Sequence, residues 1–163
     1  MKTLMLLRHG KSSWSDPDLD DDQRPLTGRG KRAAKEMGEL LAEKKLVPDL
    51  ILSSTAKRAR KTASLAAEAS AYGKEVKELD ELYLASSKKI VAQIRAHTPE
   101  KVGRVLVVGH NPGLEELVDR LAGSAEEFPT AALAIFEVSI DNWRDLELGV
   151  RCKLTGLFRP RQL

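Results

Sequence analysis

Val105-Leu106-Val107-Val108-Gly109-His110-Asn111-Pro112 decides how the chain is organised. Four consecutive apolar residues without polar alternation describe a strand buried on both faces, as in a parallel sheet. The run ends in glycine and two polar residues, and Pro112 suits the first position of a helix. That helix runs to about residue 121 and is closed by Gly123. The same pattern recurs upstream. Leu4-Met5-Leu6-Leu7 is a short buried strand that stops at Arg8-His9-Gly10. A polar loop covers 11–27. Ala34, Met37, Leu40 and Leu41 then fall at helical spacing within about 31–45, and Pro48 breaks that segment. Leu50-Ile51-Leu52 is a second buried strand, and Ser53-Ser54-Thr55 are N-cap types for a helix over about 56–71. The small inner face of that helix would be Ala59, Ala63, Ala66 and Ala67. Residues 75–79 read as a short strand and about 88–96 as a third helix, ended by Pro99. Residues 132–140 and 147–157 look like two further strands, antiparallel. The order β-α-β-α-β-α-β-α-β-β predicts an α/β protein, a three-layer α/β/α sandwich around a mainly parallel six-stranded sheet. One domain over 1–163 is expected from the length, with no linker or repeat.

Composition narrows the class. Of 163 residues, 42% are hydrophobic and 31% charged, enough apolar surface for a packed core. No apolar run approaches the roughly 18 residues of a membrane helix, and the N-terminus lacks the long apolar region of a signal peptide. Cys152 is the one cysteine, so no internal disulfide forms and a reducing cytoplasm is the expected compartment. The net charge of +3 does not by itself indicate nucleic acid. The aromatic residues are scattered, which disfavours a single-strand stacking platform. The charges are segregated, however. Asp16, Asp18, Asp20, Asp21 and Asp22 share one loop, and Lys57, Arg58, Arg60 and Lys61 share another segment.

Sites in open α/β sheets lie at the carboxyl ends of strands. Arg8-His9-Gly10 and Gly109-His110-Asn111 stand at two such ends, and Arg58 stands in the first turn after a third. Neighbouring strands lie about 4.8 Å apart, so adjacency of the first and fourth would open both imidazoles into one crevice. Guanidinium forks match phosphate oxygens, and helix N-termini add amide donors. A neutral imidazole can attack phosphorus, and the arginine charges help to keep it neutral. Asp80 or Glu81 could give the leaving group a proton, although solvated carboxylates would look the same. Gly10 would let substrate approach the backbone. His97, near a helix end, complements the helix dipole. Most of the Lys57–Lys61 cluster reads as solvated helix face, with Arg58 alone well placed for the crevice and the others able to attract an acidic partner. The alternating aspartates fail as a calcium loop, because Asp21 stands where glycine is needed and Thr27 where glutamate is needed. His9 and His110 lack a third ligand for zinc.

Three blocks together resemble the histidine phosphatase superfamily, the phosphoglycerate mutase-like fold. They are Leu7-Arg8-His9-Gly10, the segment Ser54-Thr55-Ala56-Lys57-Arg58-Ala59-Arg60-Lys61-Thr62-Ala63, and Gly109-His110-Asn111-Pro112-Gly113. Lys11-Ser12-Ser13-Trp14 and Arg24-Pro25-Leu26-Thr27 are similar to the short, SixA-like branch of phosphohistidine phosphatases. The departures are Thr55, where proline is common, and Lys61, where glutamine is common. Roughly 40 residues separate Thr62 from Val105, which leaves little room for a lid. The resemblance implies a sheet order 3-2-4-1-5-6 with strand five antiparallel. It implies His9 as the nucleophile that becomes phosphorylated. Arg8, Arg58 and His110 would bind the phosphoryl group, Arg24 and the Asn111 backbone amide would add contacts, and Glu81 would fall near a proton donor. No metal and no cofactor are implied, nor any nucleic acid or membrane partner. The expected substrate is phosphohistidine on a protein domain; a small phosphate ester is the alternative. A non-catalytic phosphate-binding or nucleic-acid-binding module is the rival from another class. The loop 11–27 would cover the entrance and recognise the partner.

Overall fold

A computed structural model describes residues 1–160, so the last three residues of the expected 1–163 domain lie outside the described residues. Six strands form one sheet: β1 (Lys2–Arg8), β2 (Leu50–Ser54), β3 (Lys77–Leu79), β4 (Arg104–Gly109), β5 (Leu133–Val138) and β6 (Cys152–Phe158). Their order is β3-β2-β4-β1-β5-β6. The pairs β1–β4, β2–β4 and β2–β3 are parallel, whereas β1–β5 and β5–β6 are antiparallel. The helices are α1 (Gly28–Glu43), α2 (Lys57–Ser70), α3 (Ser87–His97) and α4 (Gly113–Ala122).

The unalternated strands of the centre follow from burial on both faces. Leu4 and Leu6 of β1, with Val105 and Val107 of β4, pack against Ile90, Ile94, Leu114 and Leu117 of α3 and α4. Met5, Leu7, Leu106 and Val108 point the other way, onto Met37 and Leu41 of α1 and Ala59, Ala63 and Ala66 of α2. Every one of those eight strand residues is fully buried, each contributing about 1.5–3 kcal/mol of transfer free energy. The alanine face of α2 lets α1 approach closely. A Cβ at Gly38 of α1 would stand 2.5 Å from the Ala66 carbonyl oxygen, so only glycine fits that crossing.

Several expected boundaries shift for physical reasons. α1 begins three residues earlier than its apolar spacing indicated, because the Thr27 side chain accepts from the Gly30 amide and caps it. α2 has Ala56 at its N-cap with no side-chain cap, so Ser53 and Ser54 end β2 instead of capping a helix. Pro112 occupies the N-cap of α4, one position before the first helical residue. β6 begins at Cys152, not near 147. The chain before it forms a 3₁₀ turn at Trp143–Asp145, whose buried Trp143 indole donates to the Val102 carbonyl at 2.7 Å. Gly10 contacts the backbone of α1, not an open approach path: a Cβ there would lie 2.6 Å from the Gly30 carbonyl oxygen.

Candidate active site

The parallel register aligns Arg8 of β1 with Gly109 of β4, so His9 and His110 leave the sheet side by side. Their ring centroids are 5.1 Å apart and tilted at 53°. A cleft of about 300 Å³ opens there, lined by Arg8, His9, Arg24, Arg58, His110 and Asn111 among others. The expected crevice is thus formed at the carboxyl ends of the central strand pair. Trp14 and Leu84, exposed by 76% and 53%, form an apolar part of its rim.

Each imidazole has a defined partner. His9 Nδ1 lies 2.8 Å from the Gly10 carbonyl oxygen, which can only accept, so Nδ1 carries the proton and Nε2 the lone pair. Gly10 is fixed in turn by Thr62, whose hydroxyl accepts the Gly10 amide at 3.0 Å and donates to the Arg58 carbonyl at 2.7 Å. His110 Nε2 shares a 2.8 Å hydrogen bond with the Ser54 hydroxyl. Its Nδ1 is buried without a partner, as is Arg8 Nε. A buried polar nitrogen left unpaired is costly, so both are suited to meet an anion's oxygens in the cleft. Tyr83 packs edge-on to His110, with centroids 5.5 Å apart.

The guanidinium groups are organised by Asp21. Arg58, only 4% exposed, donates from one Nη to the Asp21 carbonyl at 2.7 Å and from the other to its carboxylate at 2.9 Å. The same carboxylate pairs with Arg24 at 2.9 Å and accepts a short hydrogen bond from Tyr83. Hydrogen bonds from Tyr83, Arg58 and Arg24 hold it well below the usual carboxylate range. Arg24 also donates to the Ser13 carbonyl at 3.2 Å and stacks 3.2 Å from the Trp14 ring centroid. Arg8 reaches the Phe128 carbonyl at 3.3 Å, and the Asn111 amide group donates to the same oxygen at 2.8 Å. Glu81 is exposed on the 3₁₀ turn Asp80–Leu82 and is not among the side chains lining the cleft. Sequence reasoning passed over Asp21, Ser54, Thr62 and Tyr83; only the Asp-x-x-Arg spacing of Asp21 and Arg24 offered a signal.

The electrostatics favour neutral imidazoles. Burial lowers His9 to about 4, with the Arg58, Arg8 and Arg24 charges acting the same way and the Gly10 hydrogen bond opposing. Burial, followed by His9 and Arg58, lowers His110 to about 3. In the unfolded chain both would take up protons near 6.5. Stability from the pair is therefore complete above about pH 6.5 and is lost as the pH falls toward about 4 for His9 and about 3 for His110. At about pH 5 the His9 shift alone corresponds to on the order of 2 kcal/mol. Thermal denaturation should show Tm dropping between pH 7 and pH 5, and His9→Ala should shrink that drop. An equal drop in both proteins would contradict the neutral ring.

Two neutral imidazoles and three guanidinium groups around one cleft at a sheet's carboxyl edge define a site built for a tetrahedral oxyanion. The chain belongs to the histidine phosphatase superfamily (branch 1), whose family model matches residues 4–103, and it is a phosphatase. It is 34% identical to an uncharacterized protein of Mycobacterium tuberculosis over 95% of this chain and 100% of that one. It also matches part of the 2,3-bisphosphoglycerate-dependent phosphoglycerate mutase of Bifidobacterium longum, at 43% identity over 40% of this chain and 28% of the mutase. Among solved structures, a protein assigned as phosphohistidine phosphatase SixA of Agrobacterium tumefaciens is 32% identical, covers 98% of both chains and superposes with a TM-score of 0.82. A second, assigned likewise, from Nakamurella multipartita is 28% identical over 98% of this chain and 96% of that one, with a TM-score of 0.83.

Proposed function

We propose that the chain hydrolyses phosphohistidine on a protein through a covalent phosphohistidine on His9, acting in the cytoplasm on a phosphorylated transfer domain. The observation that carries this reading is the lining of the cleft: two imidazoles and three arginines, with no carboxyl group among the described residues. An alkoxide leaves an alkyl ester only if something protonates it, and a positioned acid contributes about 10²–10⁴-fold to such a step. An imidazole leaving group can take its proton from solvent before the bond breaks, so it tolerates a lining without an acid. The resemblance to the two SixA-assigned structures supports the same substrate class.

In the first step His9 Nε2 attacks phosphorus in line, the new N–P bond forms and the substrate N–P bond breaks, releasing the protein's imidazole. Arg8, Arg58, Arg24 and His110 Nδ1 stabilise the three equatorial oxygens, with the Asn111 backbone amide as a further contact. In the second step water attacks the same phosphorus, inorganic phosphate leaves and His9 is regenerated. His110 is held in place by Ser54, and Arg58 by Asp21, so neither group must reorganise as charge develops. The loop 11–27 supplies Lys11, Ser12, Trp14 and Arg24 to the cleft, which supports a part in recognition.

The test is kcat/KM on a histidine-phosphorylated transfer domain against a panel of small alkyl phosphates; a strong preference for the esters overturns the protein-substrate reading. Glu81 supplies a second check. Because it lies outside the cleft, Glu81→Gln should leave phosphohistidine turnover within about twofold, far from the 10²–10⁴-fold that an acting general acid contributes. A loss of that larger size would return Glu81 to the chemistry.

A further inference from the structure

All four helices follow strands and begin at the edge that carries the cleft. Helix N-termini carry partial positive charge and ordinarily favour acids in the first turn. α4 obeys, with Glu115 and Glu116. α1, α2 and α3 have no acid there, and α2 opens on Lys57, Arg58, Arg60 and Lys61 with no side-chain cap. Arg58 turns into the cleft, which accounts for it. Lys57, Arg60 and Lys61 stay exposed at a position where their charge opposes the helix dipole.

These three residues do not scatter into solvent separately. With Lys31 of α1 and Pro25 they line one groove of about 470 Å³ between α1 and the start of α2. None of the four cations makes an ion pair within the described residues, although Glu78 lies on the groove's wall. The groove and the cleft draw on the same two segments of chain, since Pro25 of the groove follows Arg24 of the cleft, and Arg58 of the cleft lies between Lys57 and Arg60 of the groove.

We propose that this groove docks an acidic surface segment of the protein that bears the phosphohistidine, an inference that rests on the protein-substrate reading above. Charge complementarity selects an acidic partner: four exposed cations without an ion pair among the described residues line one groove. A nucleic acid fits less well. Asp16, Asp18 and Asp20 stand exposed on the loop that Asp21 ties to Arg58, where they would repel a continuous phosphate backbone. Trp14 is the one large aromatic strongly exposed among the described residues, and it is already stacked on Arg24. A mixed surface, acidic opposite the groove and basic opposite the loop, is what a folded protein can present.

The experiment measures binding of a fluorescent deca-glutamate peptide to the wild type, to the triple variant K57E/R60E/K61E and to the neutral K57Q/R60Q/K61Q. Wild-type affinity should fall with salt between about 50 and about 200 mM, and the reversed variant should bind on the order of tenfold more weakly, with the neutral one between. Para-nitrophenyl phosphate turnover should stay within about twofold, because small-ester chemistry does not reach the groove. The reversed variant should also melt about 2–4 °C higher, since its new acids complement the dipole of α2. Affinity unchanged by charge reversal overturns the docking surface, as does tighter binding of a single-stranded DNA decamer than of the peptide. A wild type that ignores the peptide yet dephosphorylates a phosphohistidine domain overturns the docking surface alone. A wild type that binds the peptide through these residues but leaves phosphohistidine intact overturns the substrate reading and keeps the acidic-partner surface.

Discussion

His9→Ala should abolish turnover, lowering kcat by more than about 10³-fold, while leaving the protein folded at neutral pH. The expectation combines position and tautomer. Register carries His9 off the end of β1 beside His110, and the Gly10 carbonyl fixes the proton on Nδ1, which leaves Nε2 as the basic nitrogen. Burial and three neighbouring arginines keep the ring uncharged. His110, the other neutral imidazole of the cleft, is tied at Nε2 to the Ser54 hydroxyl and is assigned to the phosphoryl oxygens, so it is not expected to replace His9 as nucleophile. The ring is not part of the apolar layers that hold the sandwich together, and its loss costs mainly the hydrogen bond to Gly10. Folding is checked by the Tm near pH 7, and turnover with both para-nitrophenyl phosphate and a phosphoramidate. Retention of the wild-type rate would remove His9 from the chemistry.

Arg58→Ala should lower kcat by about 10²–10³-fold, the range expected when one preorganised contact to a developing oxyanion is lost. Arg58 is organised in advance, with both Nη atoms anchored on Asp21. Its side chain is therefore aligned before substrate arrives, and little free energy is spent on ordering it during the reaction. Arg58→Lys should not restore the rate, because a point charge cannot replace a fork that spans the carboxylate and the phosphoryl group together. The loss should fall mainly on kcat. A change confined to KM would mean that Arg58 only helps to bind the ground state.

The parts of the fold that could be read from the sequence are those in which local pattern and global position agree. β1 and β4 are unalternated apolar runs because helices cover both faces of the sheet, and the polar residues that end them are the site. The alanine face of α2 is legible for a similar reason, because close packing of α1 needs small residues at helical spacing. The start of α1 was obscured by Gly28 and Gly30, which suggest a loop although Thr27 caps a helix there. The apolar Leu148 and Val150 imitate the start of a strand at 147, but they belong to a turn closed by the Val150 amide on the Glu147 carbonyl, and pairing begins only at Cys152. Within the site, Asp21 was hidden among four neighbouring aspartates. What singles it out is a contact 37 positions along the chain, to Arg58, that no local pattern encodes. Ser54 was hidden differently, by a residue type that serves equally well as a helix cap.

Trapping the intermediate decides whether His9 carries the phosphoryl group. Wild-type protein is mixed with a phosphorus-32-labelled phosphohistidine substrate, quenched in base, where phosphoramidates survive, and digested for mass spectrometry. A phosphoryl group held on His9 gives acid-labile label on the peptide that contains His9, and none in His9→Ala. Substrate turned over with no label ever reaching His9, or label found on His110 instead, would contradict it.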